Sequence, residues 1–216
     1  MNERELRDEL IATVRCFNPL GINQGTSGNA SVRSGDGILI TPSGLAYDQL
    51  DPADIVHMRF DGSFSVPRQG RKPSSEWRFH LDLLRERPDL NAIVHTHGVS
   101  VTTLACLGRG IPAVHYMIAL AGGNDIRCAP YATFGTQELS DHALAAMRDR
   151  KACLLANHGL IAGGTSLAKA LALAVEVETL AEIYWRALQI GEPVILSDTE
   201  IAAVAEKLAA GYGSAD

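Results

Sequence analysis

Ala92-Ile93-Val94-His95-Thr96-His97 reads as a short β-branched strand that ends in two histidines. Side chains two positions apart leave a strand on the same face, so His95 and His97 can converge on one ion while Ala92, Ile93 and Val94 anchor the strand in a core. A second apolar run, Cys153-Leu154-Leu155-Ala156, leads into Asn157-His158-Gly159-Leu160 and offers a third imidazole. Three histidine nitrogens with one position left open are the usual protein part of a catalytic zinc site. His57, His80, His115 and His142 have no comparable setting and read as structural or exposed.

Working outward, residues 3–17 carry Leu6, Leu10, Ile11 and Val14 at helical spacing. Strands are expected at 30–33 and 38–41 around Ser34-Gly35-Asp36-Gly37, and at 55–60 and 63–66 around Asp61-Gly62, both hairpin signals. A helix starting at Pro73-Ser74-Ser75-Glu76 should stop before Pro88. Further helices are expected at 101–107, 137–147, 166–190 and 199–209, with strands at 111–114, 126–129 and 152–156. Hairpins mixed with helices imply a layered α/β domain whose sheet is at least partly antiparallel. No repeat and no long linker divides the chain, so residues 1–216 are expected to form a single domain.

The 216 residues are 46% apolar with a net charge of −6, the composition of a globular protein rather than a disordered one. That charge leaves no basic surplus for a general nucleic-acid binder. Four scattered cysteines without a C-x-x-C pair read as reduced thiols of a cytoplasmic chain, and no apolar run reaches the roughly 18 residues that a membrane span needs. Only Lys72, Lys151, Lys169 and Lys207 are lysines, in polar loops or on helices near the C-terminus.

Glu76 falls in the first turn of its expected helix, where the helix dipole stabilises a carboxylate and where Ser74 and Ser75 resemble ordinary N-caps. A helix N-terminus with two hydroxyls is also an anion site. Gly25-Thr26-Ser27-Gly28-Asn29 and Thr41-Pro42-Ser43-Gly44 are glycine turns of similar chemistry. None ends in the G-K-[ST] of a nucleotide-binding loop, so a small phosphate monoester suits them better.

These strings, with Asn23-Gln24-Gly25-Thr26, the run Pro73 to His80, Ile111 to Ala119, Ala129 to Thr136 and His158-Gly159-Leu160-Ile161-Ala162, resemble class II aldolases of the L-fuculose-phosphate aldolase type nearly from end to end. The resemblance implies a three-layer α/β/α fold with a mixed, mainly antiparallel central sheet. It implies zinc (Zn2+) on His95, His97 and His158, and Glu76 as the acid/base residue. Asn29, Ser43, Gly44, Ser74 and Ser75 would hold the phosphate. Tyr116 would act as a proton donor reaching a neighbouring subunit's site in a homotetramer of four-fold symmetry. Ser43 stands where a Thr is expected, keeping the hydroxyl. The chain's end departs from the pattern, which puts a lid role for Tyr212 in doubt.

The implied reaction is cleavage of L-fuculose 1-phosphate, or a similar ketose 1-phosphate, to dihydroxyacetone phosphate and an aldehyde such as L-lactaldehyde. The carbanion needs an electron sink, a metal or a lysine Schiff base, and no lysine here follows an apolar strand into a desolvated setting. Three rivals share the resemblance: an aldolase for another 5-deoxy- or methylthio-ketose 1-phosphate, a ribulose-phosphate 4-epimerase, and a non-catalytic adducin-like domain. The epimerases carry an Asp where Glu76 stands, and the adducin heads lack the metal histidines.

Overall fold

The computed structural model of the chain describes residues 2–211, so Tyr212 lies outside the described residues. Among the described residues, nine strands form one sheet in the order β4-β3-β2-β1-β5-β9-β8-β7-β6. These are β1 (Asn29–Ser34), β2 (Gly37–Ile40), β3 (Val56–Arg59), β4 (Phe64–Ser65), β5 (Ala92–Thr96), β6 (Ile111–Pro112), β7 (Asp125–Ala129), β8 (Ala152–Leu155) and β9 (Gly159–Gly164). Every neighbouring pair is antiparallel except β7 with β8. The mixed, mainly antiparallel sheet expected from the sequence is the one observed.

Alternation along the strands sorts side chains into two cores. Ala92 and Val94 of β5, with Leu160 and Ala162 of β9, face one core shared with Leu10 and Val14 of α1 (Glu3–Arg15), Leu104 of α3 (Val99–Cys106) and Val177 of α5 (Leu167–Ile190). Ile93 and Ile161 point the other way, toward Phe79 and Leu83 of α2 (Trp77–Glu86) and Leu139 of α4 (Gln137–Ala146). Helices thus cover both faces of the sheet, giving three layers. The last helix, α6 (Asp198–Ala209), adds Ile201 to the first core. No described helix is long and apolar enough to cross a membrane.

The element missing from the sequence reading is β9, which pairs with both β5 and β8 at the centre of the sheet. Its three glycines lower strand propensity and hide it. Close packing is what makes them acceptable. A Cβ on Gly159 would stand 2.5 Å from the Thr96 carbonyl oxygen, and one on Gly164 would stand 2.5 Å from the Ala170 nitrogen. The expected strand at 111–114 shrinks to Ile111–Pro112, because the chain turns at Pro112 toward a 3-10 segment, Tyr116–Ala121.

Candidate metal centre

His95 and His97 share the face of β5 that looks toward α2, and their Nε2 atoms stand 2.8 Å apart. The His95 ring is fully buried and packs edge-on against Phe79. Its Nδ1 lies 2.9 Å from the Leu160 carbonyl oxygen. A carbonyl only accepts, so Nδ1 carries a hydrogen and Nε2 is the ring nitrogen turned toward the cluster. His158 sits in the turn from β8 to β9, where Asn157 takes a left-handed φ of 54°. That turn aims the ring at the other two, with centroids 4.9 Å from both His95 and His97.

Glu76 occupies a different place from the one expected. It is the N-cap residue of α2 rather than part of its first turn, and its side chain makes no capping bond. Ser74 Oγ instead accepts from the Glu76 N–H at 3.3 Å. The freed carboxylate turns inward. Oε2 lies 3.2 Å from His95 Nε2 and accepts from Asn29 Nδ2 at 2.9 Å, and Oε1 lies 3.0 Å from His158 Nε2. Burial alone would raise the Glu76 carboxyl, but the His95 and His158 imidazoles outweigh it and hold it well below the usual carboxylate range. Burial, then the neighbouring His95 and His158, pushes His97 down to about 3, which keeps its ring neutral.

The donor set fits a single ion. Ligand atoms of Glu76, His95, His97 and His158 all lie within 4.8 Å of one another. Tetrahedral bonds of about 2.1 Å would set them about 3.4 Å apart. Glu76 Oε1 is also a buried oxygen with no well-directed hydrogen-bond donor, although His158 Nε2 is close by. A cation would satisfy that oxygen and the three imidazole nitrogens together. Glu76 therefore stands as a fourth donor beside the three histidines expected from the sequence.

A cavity of about 340 Å³ opens over this cluster, lined by Ser27, Ser75, Tyr131, Phe134 and Asn157 besides Glu76, His97 and His158. A larger one of about 620 Å³ under α6 contains none of the histidines, so chemistry rather than volume identifies the site. Among the described residues lining the smaller cavity there is no lysine.

The expected phosphate residues come together in part. An isolated bridge between Pro42 and Pro73, with Ser43 N–H to the Lys72 carbonyl and Ser74 N–H to the Thr41 carbonyl, sets Ser43 and Gly44 beside Ser74 and Ser75. Asn29 is buried and its side-chain amide is already engaged, by Glu76 on one side and His80 on the other. Tyr116 is 42% exposed at the start of the 3-10 segment, against His115, and does not line the cavity of its own chain.

Four contributors were not singled out from the sequence for site roles. His80 is fully buried and bonded to Asn29 and Ser31. Asn23 Oδ1 accepts the His97 backbone N–H at 3.1 Å and holds that end of β5. Tyr131 and Phe134, exposed at the cavity mouth, had a signal in the sequence: two aromatics inside a Pro-Gly loop.

A sequence profile described as class II aldolase and adducin N-terminal domain matches residues 8–185, and the chain belongs to that family. Its relatives and solved neighbours mark it as a class II aldolase, a lyase. A 5-methylthioribulose-1-phosphate/5-deoxyribulose-1-phosphate aldolase of Rhodospirillum rubrum is 62% identical over 94% of this chain and 90% of its own length. An L-fuculose phosphate aldolase of Escherichia coli is 53% identical over 96% of this chain and 95% of its own. A solved L-fuculose 1-phosphate aldolase superposes with a TM-score of 0.92 at 43% identity, covering 95% of this chain and 96% of that one.

Proposed function

We propose that this chain, as one catalytic domain working in the cytoplasm, cleaves a ketose 1-phosphate to dihydroxyacetone phosphate and a short aldehyde with an apolar end. The observation that carries the reading is the buried cluster of His95, His97, His158 and Glu76 beneath an open cavity. The three histidines would hold a divalent metal, for which a nitrogen-rich set favours zinc, and Glu76 would be a fourth donor that gives up its position to the substrate and is then free to act as base. When bound, such an ion supplies a Lewis acid for the ketone oxygen and for the charge left beside it.

The chain's own residues supply the rest. Glu76 Oε1, which lacks a directed donor, is the atom that takes and returns the proton on the carbon next to the ketone. Asn29 holds the other oxygen of that carboxylate. Ser43, Gly44, Ser74 and Ser75, on adjoining turns before α2, would cradle the phosphate and orient the reacting carbon, with Asn29 at the edge of the cradle. Tyr116 would serve the aldehyde oxygen across a boundary with a neighbouring subunit of a homotetramer. Its exposure and its absence from the lining of its own cavity support that role.

Two classes of substrate stand on equal footing. The R. rubrum relative is named for 5-methylthio- and 5-deoxyribulose 1-phosphates and the E. coli one for L-fuculose phosphate. Each of these ketoses ends in an apolar group, which suits the Tyr131 and Phe134 mouth. Glu76 in place of an Asp argues against an epimerase, and the metal set argues against an adducin-like structural role. The test is to incubate the Zn2+-loaded protein with both classes of ketose 1-phosphate and measure dihydroxyacetone phosphate. Release from at least one is expected; none from any, at full metal occupancy, refutes the reading.

A further inference from the structure

Between the sheet and α2 runs a buried chain of hydrogen bonds, two of whose members, His80 and Ser31, have no task in the cleavage scheme. Asn29 and Ser31 leave β1 on the same face, and Glu76 and His80 stand one helical turn apart at the start of α2. The four side chains interlock. Ser31 Oγ is 2.8 Å from His80 Nδ1, His80 Nε2 bonds Asn29 Oδ1, and Asn29 Nδ2 reaches Glu76 Oε2 at 2.9 Å.

The direction of these bonds follows from donor and acceptor chemistry. An ionised carboxylate only accepts, so Asn29 must turn its NH2 toward Glu76. Its carbonyl oxygen then faces His80, and His80 Nε2 must carry a hydrogen. Nδ1 of the neutral ring is left to accept from the Ser31 hydroxyl. Burial keeps that ring neutral, pushing it down to about 3. Rotating the Asn29 amide by half a turn would set its oxygen against a carboxylate oxygen and its NH2 against the His80 N–H, two mismatches in a dry place.

We propose that His80 is a positioning residue for Glu76: by donating to Asn29 it locks the amide that grips Oε2, and so leaves Oε1 for the metal and the substrate proton. The inference rests on the assignment of Glu76 to that chemistry. It adds that a side chain out of reach of the ligand atoms decides which carboxylate oxygen is free.

The test uses the full chain loaded with Co2+, whose visible d–d bands report the donor set without any sugar phosphate, together with steady-state cleavage. His80→Gln places an amide NH2 where Nε2 stands, whereas His80→Asn is too short to reach Asn29 and His80→Phe keeps bulk without a donor. The Phe and Asn variants are expected to alter the Co2+ bands and lower kcat about 10–100-fold, the usual cost of losing an outer-shell partner, with KM little changed. His80→Gln should recover most of both losses. Adding His80→Phe to Asn29→Ala should cost little beyond Asn29→Ala alone, since His80 acts through Asn29. Wild-type bands and kcat in folded His80→Phe, or His80→Gln as impaired as His80→Asn, would overturn the proposal. Where His80→Phe does not fold, the comparison of Gln with Asn decides. A wild-type protein inactive on every ketose phosphate sinks the cleavage reading while the Co2+ bands still judge the relay. An active wild type with an indifferent His80 sinks only the relay.

Discussion

Gly159→Ala should damage stability and metal binding together, through a contact visible at atomic scale. The added methyl would lie 2.5 Å from the Thr96 carbonyl oxygen and 2.7 Å from His97 Cδ2. The carbonyl belongs to β5, which is paired on both sides, so relief comes by moving the histidine ring or prying β9 from β5. Overpacking of this kind costs about 1–3 kcal/mol. At about 2–4 °C per kcal/mol for a domain of this size, the melting temperature of the metal-free protein should fall by about 2–12 °C. A displaced His97 should also weaken metal affinity, by the roughly 10–100-fold seen when support of a ligand is lost. Gly163→Ala, in the same strand, is the matched control. Its methyl would meet the Leu90 and Ile93 side-chain ends at 2.8 and 3.2 Å, which can rotate away. Calorimetry and competitive Zn2+ titration of both variants make the comparison. If Gly159→Ala binds metal like the wild type, or the two variants lose affinity equally, the packing argument for Gly159 is wrong.

Other outcomes follow from the site and from Tyr47. Glu76→Gln should slow exchange of the dihydroxyacetone phosphate C–H proton with deuterated water by about 10²–10⁴-fold, and undiminished exchange removes Glu76 from the proton transfer. Tyr116→Phe should slow cleavage while sparing that exchange, and hybrids reassembled from Tyr116→Phe and Glu76→Gln chains should regain activity; verified hybrids without recovery rule out a shared site. Burial pushes the Tyr47 phenol, which donates to the Gly28 carbonyl at 2.7 Å, up to about 12 from 10.0. An unfolded chain releases that proton first, so this contribution is whole below pH 10.0 and lost as pH rises toward about 12. Urea midpoints across that window should decline less in Tyr47→Phe, and an identical decline would remove Tyr47 as the cause.

The histidine pair was legible because strand alternation alone decides that His95 and His97 share a face, and the six residues from Ala92 to His97 carry that information. His158 was legible through the apolar run before it. The orientation of Glu76 was not, because it depends on Asn29, on His95 of β5 and on His158 of the β8–β9 turn, while local rules favour a capping or first-turn role. β9 escaped because glycines that weaken a strand in isolation are required where Thr96 and Ala170 press against it. The role of His80 needs Ser31, 49 residues away, and no local pattern announces such a partner. The apolar neighbours of Tyr116 give no sign of its exposure; the turn after Pro112 carries it to the surface.

The central position of β9 also sets a timetable for the growing chain. His97 and His158 are 61 residues apart, and at roughly 5–20 residues per second a ribosome needs about 3–12 s to pass from one to the other. During that interval β5 can already pair with β1, but its other edge has no partner, because β9 has not been made. An apolar strand with one open edge invites pairing with another nascent chain or shelter by a chaperone. His95 and His97 wait at the end of that half-paired strand, on its α2-side face, able to contact an ion but not to enclose it. The same backbone insertion that closes the sheet brings His158 into place, so completion of the metal pocket and loss of the sticky edge are one event in the life of the molecule.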